Sequence, residues 1–258
     1  MKTKKIGIIG AVFVLLLAVT GYCAYRYYQS NVLPEKQLDE AEQAQQEIIE
    51  QIKPSVRTGE SAPKTEDNTE NPLTSCEDVN DDTVGWIYIP DTNIDLPIVQ
   101  GEDNDFYLHN GVNGQYNREL GCPFLDYRCE GDFSGFSSIV YGHHMTKRRM
   151  FSDISLFADA DFMQKHPKGY LTLTDGVHPV TFFAYLTTYP TAPAYYAVFV
   201  SDAEKREFLE YLFTEAKHTQ TLTAEDLDET AHLLLLSTCT YEFDDARGIL
   251  VGVINPCN

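Results

Sequence analysis

Two residues near the end of the chain, a cysteine and an arginine, could together do chemistry. Cys239 ends the apolar run AHLLLLSTC, and Arg247 opens a second apolar run after the polar loop TYEFDDAR. Short apolar runs bounded by polar residues are typical of buried strands. If these strands pair through the loop, the end of the first lies beside the start of the second. The sequence therefore predicts a thiol with a permanent cation beside it, although a cysteine at a strand end is more often only a small buried hydrophobe.

A histidine pair follows another strand-like segment. Ser138–Tyr141 is followed by Gly142, His143 and His144, and the glycine allows the backbone to turn sharply. His143 would then lie at a strand end, as Cys239 does. Adjacent strand residues point to opposite faces, so the two histidines are poor joint metal ligands, and no third ligand is evident. We predict no metal site and no cofactor.

These three side chains would form a set suited to acyl transfer. The thiolate of Cys239 is a nucleophile, the imidazolium of His143 can protonate a leaving amine, and the guanidinium of Arg247 can stabilise negative charge on a tetrahedral oxygen. Positive charge nearby would raise the thiolate fraction of the cysteine. The sequence leaves both an ion pair and an all-neutral Cys–His pair open.

Composition narrows the class of protein. The 258 residues provide room for one sizeable domain plus extensions, and the net charge of −20 disfavours nucleic acid as a partner, because phosphates require a basic surface. The six cysteines show neither a CxxC motif nor metal-type spacing. Cys122 and Cys129 on one extended strand would stand about 23 Å apart, too far for a disulfide. We expect most thiols to be free.

The N-terminal region predicts an anchor. Lysines precede a largely apolar run, Ile6–Tyr25, which as a helix would span about 30 Å, the thickness of a bilayer core. The lysine excess on the N-terminal side places that end in the cytoplasm. We predict a basic tail and a retained single transmembrane helix over residues 1–28, in preference to a cleaved signal peptide, with the catalytic domain outside the cell.

A stalk and a linker should follow the anchor. Pro34–Lys53 is rich in Glu, Gln and Ala with a thin apolar stripe, which predicts a helix. Ser55–Pro72 has almost no apolar content and is expected to be a flexible linker. We assign residues 29–72 to the stalk and linker and residues 73–258 to the catalytic domain.

The catalytic domain has the pattern of a β protein. About eight short apolar runs are separated by turn-forming residues, and Asp175-Gly176 is a strong hairpin signal. This spacing favours an antiparallel barrel or sandwich. Helices are predicted over Met150–Ala158 and from the capping box at Ser201 to about Ala216. The aromatic loop before Ser201, with Tyr195 and Tyr196, could line a peptide groove or pack against its own helix.

The motifs resemble those of the sortases, Gram-positive cell-surface cysteine transpeptidases. YGHHM at Tyr141–Met145 and LLSTC at Leu235–Cys239, followed by Arg247, are similar to the family's GH pair, its TLxTC signature and the arginine after that signature. Leu235 replaces the signature threonine. GWIYIPDTNIDLPIVQ and GCPFLDYRC resemble the family's opening and next core strands.

The resemblance implies a fold and a set of roles. The fold is mainly β: an eight-stranded sortase-type β-barrel with an N-terminal helical extension and a few peripheral helices. Cys239 would be the nucleophile, His143 the general acid and base, and Arg247 the oxyanion and substrate-positioning group. Ser237 and Thr238 are predicted to bind substrate with Tyr195 and Tyr196, although ordinary strand roles for the first two are equally open.

Within the family, class B is the best match. The N-terminal helical extension, the helix from Ser201 and a chain ending just past the last strand all resemble that class. The resemblance implies cleavage of an NPxTx-like C-terminal sorting signal on surface proteins, after its threonine, through a thioacyl-enzyme. The acceptor would be an amine of a cell-wall precursor or of a pilin lysine.

Two other classes of protein stay open. A hydrolytic cysteine peptidase of the papain-like group normally has its nucleophile before its histidine, whereas His143 precedes Cys239 here. A non-catalytic anchored binding module would make Cys239, His143 and Arg247 incidental. Labelling with a thiol reagent distinguishes a non-catalytic binding module from an enzyme, because an inert structural cysteine would react slowly.

Overall fold

A computed structural model describes residues 2–58, 71–117, 120–219, 222–223, 225–240 and 242–256 of the chain. Cys257, Met1 and most of the predicted linker, residues 59–70, lie outside this part. The chain divides into two compact units, Met1–Ala44 and Gln45–Asn258. Burial of Gln45, Ile49 and Ile52 places the end of the predicted stalk in the second unit. The proposed division into residues 1–28, 29–72 and 73–258 stays a prediction.

Among the residues described above, three α-helices precede the first strand, and the others lie between strands. The α-helices are α1 (Lys2–Tyr27), α2 (Leu33–Ile52), α3 (Thr74–Glu77), α4 (Phe106–His109), α5 (Ala160–Lys165) and α6 (Asp202–Glu215). A π-helical turn, Tyr28–Val32, joins α1 to α2, and 3₁₀ turns cover Thr146–Arg148, Ser152–Ala158 and Pro193–Tyr195. The helix predicted over Pro34–Lys53 is therefore present as α2, and the one predicted from Ser201 is present as α6.

The predicted membrane anchor is wrong. A span needs about 20 consecutive apolar residues in one helix. Within the described residues, no helix has both the length and the apolar character that a bilayer crossing demands. The predicted single-pass membrane location, with residues 1–28 as its anchor, is wrong with it, and the membrane as a partner of the N-terminal helix is not supported.

Within the described part of the chain, eight strands form a closed barrel, and a ninth extends it. The strands are β1 (Thr83–Tyr88), β2 (Asp95–Val99), β3 (Phe124–Leu125), β4 (Ser137–Tyr141), β5 (Lys168–Leu173), β6 (Gly176–Thr188), β7 (His218–Thr219), β8 (Leu233–Cys239) and β9 (Arg247–Ile254). Their order is β5-β1-β2-β3-β4-β8-β9-β6, and β5 also pairs with β6, which closes the ring. The short β7 pairs with β6 at Ala184 and Tyr185. The eight-stranded, mainly β barrel is confirmed.

Two of the barrel pairings are parallel. β4 lies parallel to β8, and β2 lies parallel to β3, whereas the other neighbours are antiparallel. Leu233 to Thr238 of β8 are all buried, which fits a strand covered on both faces. A core cluster joins this strand to β6, β9 and α6 through residues such as Leu235, Phe183 and Phe208. The strand that ends at Cys239 is therefore held firmly from both sides.

Two local expectations differ from the structure. Ser152–Ala158 forms a 3₁₀ turn rather than the predicted α-helix, because the Ser152 hydroxyl bonds the backbone oxygens of Met145 and Arg149 and competes with helix hydrogen bonds. The expected strand through Cys122 and Cys129 ends at Leu125, because an Asp126 oxygen accepts from the Arg128 amide at 3.0 Å and turns the chain.

Candidate active site

The order of the strands brings the predicted chemical groups to one rim of the barrel. β8 lies between β4 and β9, and Cys239 pairs directly with Arg247. On the other side Tyr141 pairs with Ser237. His143 lies two residues after Tyr141, just past the end of β4, and Cys239 lies two residues after Ser237, at the end of β8. The predicted juxtaposition of a thiol, an imidazole and a guanidinium therefore follows from three neighbouring strands.

Packing and hydrogen bonds fix the position of His143. A Cβ added at Gly142 would lie 2.5 Å from the Phe151 ring, so only glycine allows this ring to approach the turn. The Phe151 amide donates to the His143 carbonyl at 3.1 Å. The Nε2 atom of His143 lies 2.8 Å from the Leu108 carbonyl oxygen. A carbonyl only accepts, so Nε2 carries the proton and Nδ1 is the nitrogen that can take a proton from a thiol.

Cys239 differs from the other described thiols of the second unit in its exposure. Cys76, Cys122 and Cys129 are buried, whereas Cys239 is partly exposed. Burial raises the pKa of Cys76 to about 12 and that of Cys129 to about 11, and it also raises the pKa of Cys122. These three thiols stay protonated and unreactive at neutral pH. Cys239 is the thiol of this group that a substrate can reach.

Arg247 is held by the turn before it. Its Nη1 atom donates to the backbone oxygens of Asp245 at 2.9 Å and of Ala246 at 3.1 Å. Asp245 has a positive φ of 61°, which closes the turn between β8 and β9. A guanidinium has five N–H donors, so this anchoring leaves others for a ligand.

A cavity of about 550 Å³ joins these groups. Cys239, His143 and Arg247 line it, and so do all four predicted substrate-binding residues, Ser237, Thr238, Tyr195 and Tyr196. They differ in exposure: Ser237 and Thr238 are each only 2% exposed, whereas Tyr196 is 57% exposed. The structure thus places every residue predicted from the sequence at one cavity.

Tyr195 spans this cavity. Its hydroxyl lies 2.8 Å from the Ser237 Oγ atom, and its ring stacks on Tyr141 with centroids 6.1 Å apart. Burial raises the pKa of Tyr195 to about 12, although the Ser237 hydrogen bond and the charge of Arg247 act in the opposite direction. The aromatic loop before α6 therefore forms a wall of the cavity, and Tyr195 is an uncharged hydrogen-bonding group at neutral pH.

A second set of lining residues was not predicted from the sequence. Asn104, Leu108, Arg128 and Tyr141 also line the cavity. The Asp126 carboxylate, fully buried behind them, accepts from Arg128 at 2.6 and 2.8 Å, from Tyr141 at 2.9 Å and from Asn104 at 3.0 Å. A buried charge needs such partners. The short spacing of Asp126 and Arg128 in the sequence could therefore have indicated this ion pair.

The Asp126 network also reaches the aromatic loop. Burial raises the pKa of Asp126, but hydrogen bonds from Arg128, Tyr141 and Asn104 outweigh it and hold the pKa below its usual value. Arg128 donates through Nη2 to the Tyr195 backbone oxygen at 3.3 Å. The carboxylate therefore stays charged at neutral pH and holds Arg128 against the loop.

His144 is placed apart from its neighbour. It does not line the cavity, and burial lowers its pKa, while the charge of Glu242 acts in the opposite direction. Among the residues that the structure describes, no group of three or more His, Cys, Asp and Glu side chains is arranged to hold a metal ion.

Comparison with known proteins identifies the family. Sortase B of Listeria monocytogenes is 33% identical over 181 residues, which cover 69% of this chain and 71% of that protein. The chain belongs to the sortase family. Sortase B of Staphylococcus aureus is 29% identical over 183 residues, 69% of this chain and 72% of that protein. No protein-family model matches the chain.

Solved structures agree with a class B sortase. Sortase B from Bacillus anthracis, in complex with AAEK1, has a TM-score of 0.71 and 26% identity, covering 85% of this chain and 98% of that chain. Sortase B from Clostridium perfringens has a TM-score of 0.65 and 26% identity, covering 70% and 98%. This sortase is a cysteine transpeptidase of the class B type.

Proposed function

We propose that this sortase cleaves an NPxTx-like C-terminal sorting signal after its threonine and transfers the protein to a cell-wall or pilin amine. Cys239 is the nucleophile, His143 the general acid and base, and Arg247 the group that stabilises the oxyanion and positions the substrate. The observation that carries the proposal is the single cavity lined by all three side chains.

In the first half of the reaction Cys239 is acylated. Its sulfur attacks the threonyl carbonyl carbon, and the developing negative charge on the carbonyl oxygen faces Arg247. His143 takes the thiol proton on Nδ1 and then gives it to the leaving amine as the peptide C–N bond breaks. The products are a thioester and the released C-terminal peptide.

In the second half an amine replaces the thiol. The acceptor nitrogen attacks the thioester carbon, His143 removes its proton, and the carbon–sulfur bond breaks to regenerate Cys239. The new amide joins the sorted protein to the acceptor. Water in place of the amine would give hydrolysis.

The substrate-binding roles belong to the same proposal. Ser237 and Tyr195 form a hydroxyl pair beside the Tyr141 ring, which suits the threonine hydroxyl and backbone of an extended peptide. Thr238 and Tyr196 complete the wall beside Arg247. A free amide of the peptide can then pair with these hydroxyls while the threonyl carbonyl faces the sulfur.

A peptide-library assay tests the function. The purified full-length chain is incubated with Asn-Pro-Xaa-Thr-Xaa peptides and a lysine-containing acceptor peptide, and the products are read by mass spectrometry. We expect cleavage after threonine, a trapped acyl adduct on Cys239 and a new amide to the acceptor.

The controls use matched residues. Cys239→Ala should abolish cleavage and adduct formation without changing the thermal unfolding temperature, whereas Cys122→Ala, which removes a buried thiol, should leave the reaction mechanism intact. Retained cleavage by Cys239→Ala would refute its role as nucleophile. Hydrolysis alone, at every acceptor concentration, would favour a cysteine peptidase instead.

A further inference from the structure

A second cavity adjoins the first and shares a wall with it. It has a volume of about 530 Å³ and lies between the aromatic loop and α6. Tyr196 lines both cavities. The remaining wall is mostly apolar, with Val198, Val200, Phe208 and Tyr211. A ligand in the first cavity can therefore continue into the second past one tyrosine ring.

The loop presents an apolar face to this second cavity. Tyr195, Ala197 and Phe199 pack against the core, whereas the alternate residues point outward. Those outward residues are Tyr196, Val198 and Val200, which are 57%, 65% and 83% exposed. Alternation with a period of two is the mark of an extended segment. Three large apolar side chains on one exposed face are the kind of surface that marks a binding site.

The loop is held in place from behind, so this face is preformed. Phe199 packs edge-on against Phe136 and Phe208, with centroids 5.1 and 4.9 Å away. The Val200 amide donates to the Glu204 carboxylate at 2.8 Å, and the Ser201 hydroxyl caps α6. A rigid apolar face costs less entropy to fill than a mobile one.

The proposed function tells which part of a substrate reaches this cavity. The loop after β6 crosses back over β8, because Tyr195 bonds Ser237 of β8 and stacks on Tyr141 of β4. In that proposal the threonine of the sorting signal and the backbone before it lie on the Ser237 and Tyr195 hydroxyls. Tyr196 follows Tyr195 and lines both cavities, so the residues that precede the signal are the part of the substrate that reaches the second cavity.

We propose that the second cavity binds the segment of the substrate protein that directly precedes the sorting signal, and that it selects apolar and basic residues there. This inference rests on the proposed function. The apolar preference comes from Val198, Val200 and Tyr211. The basic preference comes from Glu204 and Glu207, two carboxylates in the cavity wall, on a chain whose net charge is −20.

Paired substrates test the proposal. Peptides carry one fixed sorting signal and differ only in the preceding residues, which are either Leu and Lys or Gly and Ser. We expect the Leu/Lys peptide to have a KM lower by about 5- to 10-fold, with kcat unchanged, because the added contacts form in both ground state and transition state.

Variants with matched controls locate the effect. Val198→Thr should remove most of the preference for leucine, and Glu207→Gln most of the preference for lysine. Val79→Thr and Glu210→Gln are controls: Val79 is another exposed valine, 40% exposed, Glu210 is an exposed neighbour on α6, and neither lines the cavity. Both controls should keep the full preference.

The outcomes separate this proposal from the one on which it rests. If no peptide with a sorting signal is cleaved, the proposed function fails and the inference fails with it. If both peptides are cleaved with equal KM, only the inference is overturned. It is also overturned if the cavity variants change the KM for the acceptor amine, or the oligomeric state, in place of the substrate preference.

Discussion

At the scale of single residues, the Tyr195 and Ser237 hydroxyls are each other's hydrogen-bond partner. Ser237 is 2% exposed, and its Oγ atom lies 2.8 Å from the tyrosine oxygen. A buried hydroxyl that loses its partner carries a desolvation cost of about 1–3 kcal/mol. The pair therefore contributes to the shape of the substrate wall and to its stability.

Tyr195→Phe should weaken substrate binding more than chemistry. The change deletes one hydroxyl, leaves the stack on Tyr141 in place and strands the Ser237 oxygen, so we expect KM to rise about fivefold with kcat within twofold. Steady-state kinetics on a sorting-signal peptide checks this. Tyr116→Phe, which deletes the hydroxyl of a tyrosine that is 69% exposed and lines neither cavity, serves as the control. A fall in kcat with unchanged KM would contradict the assignment.

The Asp126 carboxylate makes the stability of the folded chain depend on pH. Its pKa is lowered in the folded chain, so it contributes stability above its ordinary value near 3.8 that is lost as the pH falls through the folded value. Asp126→Asn should cost about 2 kcal/mol at pH 7, less than a fully buried ion pair, because the Arg128 side chain is 38% exposed.

The difference in unfolding free energy between the wild type and Asp126→Asn should become smaller in acid. As the pH drops from about 5 toward 2, the native carboxyl gains a proton and the unfolding free energies of wild type and Asp126→Asn converge. Urea unfolding followed by the fluorescence of the single tryptophan, Trp86, measures it. Asp81→Asn, at an exposed carboxylate outside this network, is the control. A pH-independent difference would refute the linkage.

At the scale of elements, the second half of α2 supports the proposed catalytic histidine. The Gln45 side chain, 6% exposed, donates to the Gly121 carbonyl at 3.1 Å and accepts from Asn117. Gly121 has a positive φ of 63°, and a Cβ there would lie 2.9 Å from the Leu108 oxygen and 3.1 Å from His143 Cδ2. The Gln45 side chain thus holds the turn at Gly121, which packs against the His143 imidazole and the Leu108 carbonyl.

Gln45→Met should act on the histidine at a distance. It keeps the side-chain volume but removes the hydrogen bonds to Gly121 and Asn117, so we expect kcat to fall about tenfold, with a shifted pH profile and KM within twofold. Ile49→Ala is the control on the same helix: it should cost about 3 kcal/mol of stability and leave the pH profile of kcat unchanged. Equal pH profiles in both variants would contradict the idea.

At the scale of the whole molecule, the boundary of the folded unit differs from the predicted domain boundary at Leu73. The compact unit Gln45–Asn258 includes buried Ile49 and Ile52 as well as Gln45. Asp95 binds Lys53 at 2.9 Å and also Arg57, which adds polar contacts to the apolar ones. The residues just before the barrel therefore contribute to its stability.

Two fragments test this directly. Residues 45–258 should unfold cooperatively at a temperature close to that of the full chain, whereas residues 73–258 should unfold at least about 10 °C lower, because the buried faces of Ile49 and Ile52 are removed. Differential scanning calorimetry compares them. Equal unfolding temperatures for the two fragments would support the boundary predicted at Leu73.

Local sequence patterns predicted the strand ends on which the proposed active site is built. The pairing of Cys239 with Arg247 was predictable because both residues flank one loop between two apolar strands. The position of His143 at a strand end followed from Ser138–Tyr141 and its glycine. These features depend on residues that are near in sequence.

Contacts between distant segments were not predictable in the same way. The hydrogen bonds from His143 to Leu108, from Gln45 to Gly121 and from Arg128 to Tyr195 join parts of the chain that share no pattern. The membrane anchor was wrong for a different reason, since it was argued from an apolar run alone. Contacts of this kind depend on how distant segments pack, which no local sequence pattern encodes.

The parallel pairing of β4 with β8 has a consequence for synthesis of the protein. The two strands are separated by β5, β6 and β7 in the chain, and β8 closes the gap between β4 and β9. On the ribosome, the histidine strand emerges long before the cysteine strand, and non-local pairings of this kind form late. Cys239 and His143 therefore come together only when β8 pairs with β4, so the proposed active site is absent while the chain is still growing.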